Sequence, residues 1–276
     1  MADHEAEEGS ATAPQRTDPL VTIRERGREV VATGDPVQIK ALYAEFSDLL
    51  HDTYGDDADG VPVLSRPETL AAISRLMGDA RGLVLDAGCG PNPVAALALG
   101  GREDRSVVGL DIGLGTVRLA RMVAARAGIE ILPVVGDLEA LPFAAGTFGS
   151  VVCDDTIEHV PDDARSISEL ARVLRPRGRM VLATPNRWNI DVLVRKLSDR
   201  LHRVRRPASA YYATTSHLRE YRWTELSQLL DPLFSVRRRA SVGWQGGRKR
   251  RLATRIVGLP MLRNLDQMLV VEAEVR

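Results

Sequence analysis

The chain is poor in several kinds of residue, and each scarcity argues against a class of protein. Only two of its 276 residues are cysteines, Cys89 and Cys153, and they form neither a Cys-x-x-Cys pair nor a cluster with histidine. A disulfide framework and a metal site are therefore disfavoured, and a reducing cytoplasm is the expected compartment. Aromatic residues make up 4% of the chain, which argues against a base-stacking surface for nucleic acid. No run of about 18 apolar residues occurs, so we expect no membrane-spanning helix.

The N-terminal residues also lack an apolar stretch. Residues 1–16 are acidic and rich in small side chains, without the apolar core of a secretory signal peptide. We therefore predict a disordered tail over residues 1–17. The predicted organisation continues with a helical cap over residues 18–78 and a main domain over residues 79–276, which carries an insertion at about 185–222.

Charge is unevenly spread along the chain although the net charge is zero. Residues 187–276 hold 19 Arg and Lys against 8 Asp and Glu, so the first 186 residues carry the opposite excess. Arginine clusters at 203–206, 237–239 and 248–251 are compatible with an anionic substrate or with nucleic acid. A solvated face, paired with the acidic half, is the alternative that we favour.

What the sequence does contain is a strand, a glycine turn and a helix start over residues 83–93. The apolar run that ends at Asp86 predicts a buried parallel strand. Gly88 and Gly90 permit a sharp turn and let a ligand lie against bare backbone. Pro91 or Pro93 suits the first turn of a helix. This order is typical of ligand-binding loops in doubly wound folds, although a tight turn alone also uses such glycines.

Strands and helices alternate after this point, which predicts a doubly wound α/β fold with a parallel sheet. The predicted strands are Leu83–Asp86, Ser106–Asp111, Glu130–Val135, Phe148–Cys153 and Arg179–Thr184. Helices are predicted at Gly115–Ala127 and Asp162–Leu174 between them, and at Asp18–Thr33, Val37–His51 and residues 65–77 in the cap. A helix is also predicted within the insertion, at Ile190–Val204. The chain then continues with a helix at Thr224–Leu230 and strands at Phe234–Val242 and Met268–Val275.

Acidic residues follow the next three predicted strands. Asp111 ends the second strand, where a carboxylate accepts hydrogen bonds from both hydroxyls of a ribose, or else caps a helix. Asp137 follows the third strand and can accept from an adenine amino group, with an apolar face supplied by Leu138. Several carboxylates follow the fourth strand within residues 154–158, at the edge where open α/β sheets bind ligands.

Five segments in this order resemble the motifs of class I S-adenosylmethionine-dependent methyltransferases: VLDAGCG, GLDI, GDLEALPF, DDTIEHV and RVLRPRGRMVLATPN. They cover about residues 81–186 and are most similar to the branch that contains the ubiquinone and menaquinone methylases and many natural-product methylases. The resemblance implies S-adenosylmethionine as cofactor. It also implies a Rossmann-like, seven-stranded sheet whose last strand is antiparallel, with the N-terminal helical cap and the insertion after the fifth strand.

The resemblance also implies a cofactor site, grouped by the part of the cofactor that each residue would hold. The residues are Asp86, Gly88 and Gly90 for the methionine portion, Asp111 followed by Ile112 for the ribose, Asp137 followed by Leu138 for the adenine, Asp154 with Thr156 for the methyl-donor end, and Tyr43 of the cap to close over it. Tyr54 is an alternative to Tyr43, and a buried core role is possible for either tyrosine.

Three features depart from related patterns. The third glycine of a dinucleotide fingerprint is replaced by Pro91-Asn92-Pro93, which disfavours a nicotinamide cofactor. The Asn/Asp-Pro-Pro-Tyr/Phe motif of methylases that act on DNA bases or glutamine is missing after the fourth strand. Arg177 stands where the family usually has glycine, at the entry to the fifth strand and away from the site.

Three residues are candidates for catalysis. His159 stands where related small-molecule methylases place a histidine, and it would act as a general base; a structural role is the alternative. His217 lies in the insertion, where this family builds substrate pockets, and a solvated loop histidine is its alternative. Glu158, like Asp155, could partner the positive charge of an amine acceptor. No metal site is predicted.

The predicted function is methyl transfer to an oxygen or nitrogen of a small metabolite, by a cytoplasmic monomer or homodimer. The Arg-rich composition with only three lysines suggests a GC-rich genome and, through it, antibiotic-type secondary metabolism. An RNA methyltransferase using the basic C-terminal third and a non-catalytic cofactor-binding protein are the alternatives. We further predict that the cap over Val37–Tyr54 and the insertion over Pro185–Arg222 close over the cleft and are the most mobile ordered regions without ligand.

Overall fold

The computed structural model describes residues 29–55, 60–61, 67–189, 200–201, 217–242 and 267–276. Its strands are β1 (Gly82–Ala87), β2 (Arg105–Asp111), β3 (Ile131–Val135), β4 (Phe148–Asp154), β5 (Leu174–Pro185), β6 (Phe234–Val242) and β7 (Met268–Val275). Its helices include α1 (Pro36–Tyr54), α2 (Pro67–Met77), α3 (Val94–Leu99), α4 (Leu114–Arg126), α5 (Asp163–Val173) and α6 (Trp223–Leu230). The predicted tail and most of the predicted helices 18–33 and 190–204 lie outside the described residues.

The seven strands form one sheet in the order β3-β2-β1-β4-β5-β7-β6. Strands β1 to β5 pair with one another in parallel, whereas β7 is antiparallel to both β5 and β6. The chain changes direction across the sheet between β1 and β4, which is where doubly wound folds bind ligands. The predicted fold, including the antiparallel last strand, is therefore confirmed.

The sheet is buried on both faces, which explains why its central strands are continuous apolar runs. Successive residues of β1 point to opposite sides: Leu85 packs with Phe148 and Leu182 on one face, and Val84 packs with Val107 and Val152 on the other. Helix α2 covers the second face, where its buried Ile73 and Met77 lie in the same cluster as Val84.

Helix α1 begins as predicted and ends three residues later than predicted. The Asp35 side chain accepts a hydrogen bond from the N–H of Val37 at 2.9 Å, and Pro36 occupies the first turn. The helix stops at Gly55, whose φ of 50° lies in the left-handed region. In the described residues, no helix is both long enough and apolar enough to cross a membrane.

Two predicted boundaries were wrong. Helix α3 begins at Val94, because Pro93 occupies the N-cap position and not the first helical turn. Strand β5 begins at Leu174, directly after α5 and five residues before the predicted start. Its early pairing of Leu174 with Phe148 is followed by a register shift, and Arg177 takes a left-handed φ of 62° within the irregular segment.

Candidate functional site

A cavity of about 240 Å³ opens at the carboxyl ends of β1 to β4 and is walled on one side by α1. The structure brings nine of the predicted site residues to its lining: Tyr43, Gly88, Gly90, Asp111, Ile112, Asp137, Leu138, Thr156 and His159. Asp86, Asp154, Glu158 and His217 are not on this lining. Nine of the thirteen predicted residues therefore lie around one cavity, and their roles remain predictions.

The glycine turn after β1 is shaped for close backbone approach. Gly88 and Gly90 have φ values of 76° and 55°, which favour glycine. A Cβ atom on Gly88 would collide with the side chain of Thr156, so this glycine is required for space as well as for conformation. The Thr156 hydroxyl lies 3.2 Å from the carbonyl oxygen of Gly88 and 2.8 Å from that of Asp154. Thr156 thus joins the turns that follow β1 and β4.

Asp86 lies beneath this turn and not on the cavity wall. Its side chain is 1% exposed, and Oδ2 accepts a hydrogen bond from the N–H of Ala95 in α3 at 2.8 Å. Burial raises the pKa of Asp86 to about 7, and the single backbone hydrogen bond offsets this only in part. Asp86 therefore anchors α3 under the glycine turn.

Asp111 faces the cavity at the end of β2. Its Oδ2 accepts from the N–H of Gly90 at 3.0 Å, and its Oδ1 accepts from the N–H of Gly113 at 3.2 Å. Oδ1 also lies 3.1 Å from the hydroxyl of Thr116. Burial raises the pKa of Asp111, while these hydrogen bonds oppose the rise. The carboxylate is held in place from both sides, with its position set by the glycine turn.

Asp137 is paired with a residue that sequence reasoning missed. Lys40 of α1 contacts Asp137 Oδ2 at 2.8 Å and Glu139 Oε2 at 2.6 Å through its Nζ. Burial alone would lower the pKa of Lys40, but the two carboxylates outweigh it and raise that pKa. The signal for it was available, since Lys40 is the only lysine in the first 195 residues. The ion pair fastens α1 to the turn after β3.

The two candidate histidines lie together beside Tyr43. His159 ends a 3-10 turn at Ile157–His159, and its Nδ1 is 2.8 Å from the phenolic oxygen of Tyr43. The ring of His217 crosses that of His159 edge-on at 4.8 Å between centroids. Tyr54, the alternative to Tyr43, instead packs with Leu50. The contact with His159 therefore favours Tyr43 as the functional tyrosine.

Glu158 points into the protein and not into the cavity. It is fully buried, and its Oε2 accepts a hydrogen bond from the Thr184 hydroxyl at 2.9 Å. Burial, followed by the charge of Asp155, raises the pKa of Glu158 well above its ordinary value. Among the described residues, no hydrogen-bond partner is found for Glu158 Oε1 or His217 Nδ1. The prediction that Glu158 meets a substrate amine is not supported by this orientation.

At the end of β4, a neighbour of the predicted residue Asp154 lies on the cavity. Asp154 is buried at the end of β4, whereas Asp155 lines the cavity. Asp155, the first residue after the strand, has a left-handed φ of 47°. Asp155 is therefore the acidic residue that faces the ligand space here.

Glu158, His159 and His217 also form a group that could hold a metal ion. Each offers one ligand atom, and these atoms lie within 4.8 Å of one another. The sequence-based expectation of no metal therefore remains a prediction. The raised pKa of Glu158 opposes metal binding, because a metal binds the ionised form of a carboxyl.

Comparison with known proteins identifies the domain that holds this site. Residues 85–182 match a family described as "Methyltransferase domain". The chain is 33% identical over 135 residues to the ubiquinone biosynthesis O-methyltransferase of Xanthomonas axonopodis pv. citri, covering 48% of this chain and 56% of that protein. It is 32% identical over 150 residues to the enzyme of the same name from Coxiella burnetii, covering 54% and 63%. The chain thus spans about half to three-fifths of these relatives.

Solved structures share the fold. The chain superposes on the [4+2]-cyclase SpnF with a TM-score of 0.58 at 15% identity, covering 87% of this chain and 96% of that one. A S-adenosylmethionine-dependent methyltransferase from Methanosarcina mazei gives a TM-score of 0.52 at 22% identity, covering 76% and 97%. At these identities the likeness shows the fold alone.

Proposed function

We propose that the chain is a class I S-adenosylmethionine-dependent methyltransferase that transfers a methyl group to an oxygen or nitrogen of a small metabolite. The observation that carries the proposal is a single cavity that is lined by the glycine turn, by Asp111 and Asp137, and by His159. Carboxylates and bare backbone suit a nucleoside ligand, and the histidine lies on the same cavity, where an acceptor would be activated.

The residues present fit S-adenosylmethionine. Asp111 would accept hydrogen bonds from the ribose hydroxyls, and Asp137 would accept from the adenine amino group, with Ile112 and Leu138 supplying apolar surface. Gly88 and Gly90 would leave room for the methionine portion, with Thr156 at the methyl-donor end and Tyr43 above. When bound, the cofactor supplies a methyl group on a sulfonium, which is electrophilic without help from the protein. The chain's own task is alignment, which is worth roughly 7–11 kcal/mol when geometry is good.

Helix α1 would exclude water from the reaction. Its side chains Ile39, Tyr43 and Phe46 present apolar surface to the cavity, and Lys40 closes one edge. Excluding water strengthens each electrostatic contact inside and protects the sulfonium from hydrolysis. His217, at a described end of the predicted insertion, would approach the acceptor from the side of His159.

His159 would act as the general base if the acceptor is a hydroxyl. When its Nδ1–H donates to the Tyr43 oxygen, the lone pair lies on Nε2, which is the form that a base requires. Tyr43 would be able to accept from Nδ1–H in this tautomer, and His217 would hold the ring from its edge. An oxygen acceptor is favoured because the relatives above are named O-methyltransferases. We further propose that the protein acts in antibiotic-type secondary metabolism. It would do so in the cytoplasm, as a monomer or homodimer.

The RNA alternative has less support from the described arginines. Arg237 contacts Glu274 at 3.0 Å, and Arg238 contacts Glu272 at 3.1 Å, across β6 and β7. Arg239 lies over the ring of Trp223. This arginine cluster is thus engaged within the molecule, whereas the clusters at 203–206 and 248–251 lie outside the described residues. RNA binding through phosphate contacts would weaken steeply with salt.

The proposal is tested by ligand binding followed by acceptor screening. Calorimetry should show binding of S-adenosylmethionine and S-adenosylhomocysteine and none of NADH. Mass spectrometry of the loaded protein with phenols, sugars, amines and metabolite extracts should then reveal a product heavier by one methyl group. Binding of NADH without either sulfur compound would overturn the cofactor assignment. Cofactor binding without turnover of any acceptor would favour the non-catalytic alternative.

A further inference from the structure

Ser47 lies behind the cavity wall and not on it. It follows Phe46 in α1 and is 1% exposed. Its Oγ accepts a hydrogen bond from the N–H of Thr116 at 2.7 Å and lies 2.8 Å from the Thr116 hydroxyl oxygen. Ser47 is thus a buried residue that is joined by two hydrogen bonds to one residue of α4.

Thr116 carries the connection from Ser47 to Asp111. Its hydroxyl lies 3.1 Å from Asp111 Oδ1 and 3.0 Å from the carbonyl oxygen of Gly113. A hydroxyl has a single proton to donate and two lone pairs with which to accept. If Ser47 donates to Thr116, the proton of Thr116 is free to go to the Asp111 carboxylate. Bonds in such a chain strengthen one another.

Two glycines fix Ser47 against the start of α4. A Cβ atom on Gly113 would collide with the Ser47 side chain, and one on Gly115 would collide with the Ser47 carbonyl oxygen. Glycine within a helix is unfavourable relative to alanine, yet Gly115 stands in the first turn of α4, where a larger residue would not fit. The close approach therefore places Ser47 in one position, with its hydroxyl directed at Thr116.

We propose that Ser47 is a positioning residue for cofactor binding, which acts through Thr116 to hold the Asp111 carboxylate toward the ribose hydroxyls. The inference rests on the proposed role of Asp111. It makes α1 part of the cofactor site through a side chain that touches no ligand. Removing the Ser47 hydroxyl should weaken binding of S-adenosylhomocysteine about three- to tenfold, the effect of one ordinary hydrogen bond.

A double-mutant cycle tests the route of this effect. Calorimetric dissociation constants for S-adenosylhomocysteine are measured for the wild type, Ser47→Ala, Asp111→Asn and the double variant. If Ser47 acts through Asp111, Ser47→Ala weakens binding in the wild-type background and has almost no further effect beside Asp111→Asn. An equal loss in both backgrounds, or a loss in neither, would overturn the inference. An Asp111→Asn variant with unchanged affinity would overturn the proposed role of Asp111 as well.

Matched variants separate positioning from general docking of α1. Leu50 lies one turn further along the helix, is 1% exposed and packs with Leu119, and its apolar side chain cannot hydrogen-bond to Thr116. Any effect of Leu50→Ala on affinity should add to that of Asp111→Asn, and not vanish beside it. If Ser47→Ala does not fold, as judged by thermal unfolding, Thr116→Val provides the same cycle. Thr116→Ser keeps the hydroxyl and should restore affinity; a Thr116→Val variant that binds normally contradicts the proposal.

Discussion

Single buried carboxyls determine how this protein responds to pH. The pKa of Asp86 is about 7 against an ordinary value of 3.8, because the side chain is buried with one hydrogen bond. The folded protein therefore keeps a proton that the unfolded chain releases at lower pH. The stabilising effect of this proton is complete below about pH 4 and is lost as the pH rises to about 7.

Replacing Asp86 with Asn should remove this dependence. The amide oxygen still accepts from Ala95, and it cannot ionise. A pKa change from 3.8 to about 7 corresponds to at most about 4 kcal/mol in the free energy of unfolding. Asp86→Asn should therefore be more stable than the wild type at pH 8 by a few kcal/mol. Urea unfolding of the ligand-free proteins from pH 4 to 8 measures it. Asp48→Asn, on the exposed face of α1, is the control, and parallel curves for Asp86→Asn and wild type would contradict the assignment.

Burial raises the pKa of Glu158 well above its ordinary value, so the buried carboxyl favours its protonated form more than an exposed glutamate does. Glu158→Gln should then keep the unfolding temperature close to that of the wild type, while Glu158→Ala should lose about 2–4 kcal/mol through a cavity and an unpaired Thr184. Dialysis against a chelator should leave the unfolding temperature unchanged. A chelator effect on the wild type that Glu158→Gln lacks would show a cation held with His159 and His217.

A variant of His159 should distinguish a role in catalysis from a role in cofactor binding. If His159 is a base for a hydroxyl, His159→Gln should lower kcat by roughly 10²–10⁴ with nearly unchanged affinity for S-adenosylhomocysteine. His217→Gln should have the smaller effect, because His217 contacts the His159 ring from the edge. The measurement is kcat alongside calorimetric binding for both variants. Losses below about tenfold in each would favour an amine acceptor, with Asp155 as the carboxylate on the cavity.

At the scale of elements, α1 is fastened at two points. Lys40 bridges Asp137 and Glu139, and Ser47 lies against the start of α4. The prediction that the cap is among the most mobile regions without ligand remains to be measured. These contacts indicate that its motion is limited to opening at the Lys40 end, since the Ser47 contact involves backbone as well as side chain.

Lys40→Met should loosen that end of α1. The Asp137 and Glu139 carboxylates would lose their shared cation, and backbone amides near residues 40–46 should exchange hydrogen faster. Because Lys40 and Asp137 are partly exposed, the loss of stability should be modest, about 1 kcal/mol. Hydrogen exchange by mass spectrometry measures this, with Asp52→Asn on the same helix as control. Adding S-adenosylhomocysteine should restore protection in part; exchange identical to wild type would show that the ion pair does not hold the helix.

The strands could be predicted from their apolar runs, and the rule that a carboxylate after a strand faces the cavity holds at two of them. Asp111 and Asp137 follow this rule directly. Asp154 is buried and lies off the cavity lining, whereas Asp155 lies on it with a left-handed backbone that the residue pattern did not indicate. Lys40 and Ser47 were missed because their partners lie 97 and 69 positions away, and pairing over such separations is decided by packing. Pairing between residues so far apart in the sequence leaves no mark on the local periodicity of apolar residues.

For the whole molecule, cofactor binding should appear as stability. A ligand that binds only the folded state adds about 2.7 kcal/mol at a concentration one hundred times its dissociation constant. The unfolding temperature should therefore rise with S-adenosylhomocysteine and stay constant with NADH. Thermal unfolding at several ligand concentrations measures this, and Asp111→Ala, which should bind more weakly by about 1–3 kcal/mol, should need correspondingly more ligand. A temperature that rises equally with both ligands would contradict a selective site.

The contact between Gly88 and Thr156 has a consequence for how sequences of this family can vary. The two positions share one small volume, although 68 residues separate them, so a side chain added at position 88 is obstructed by Thr156. Sequences with a side chain at position 88 should be rare, because its φ of 76° penalises them, and those that exist should carry Gly or Ala at position 156. An alignment of sufficiently many relatives should therefore show covariation between positions 88 and 156, caused by this steric exclusion.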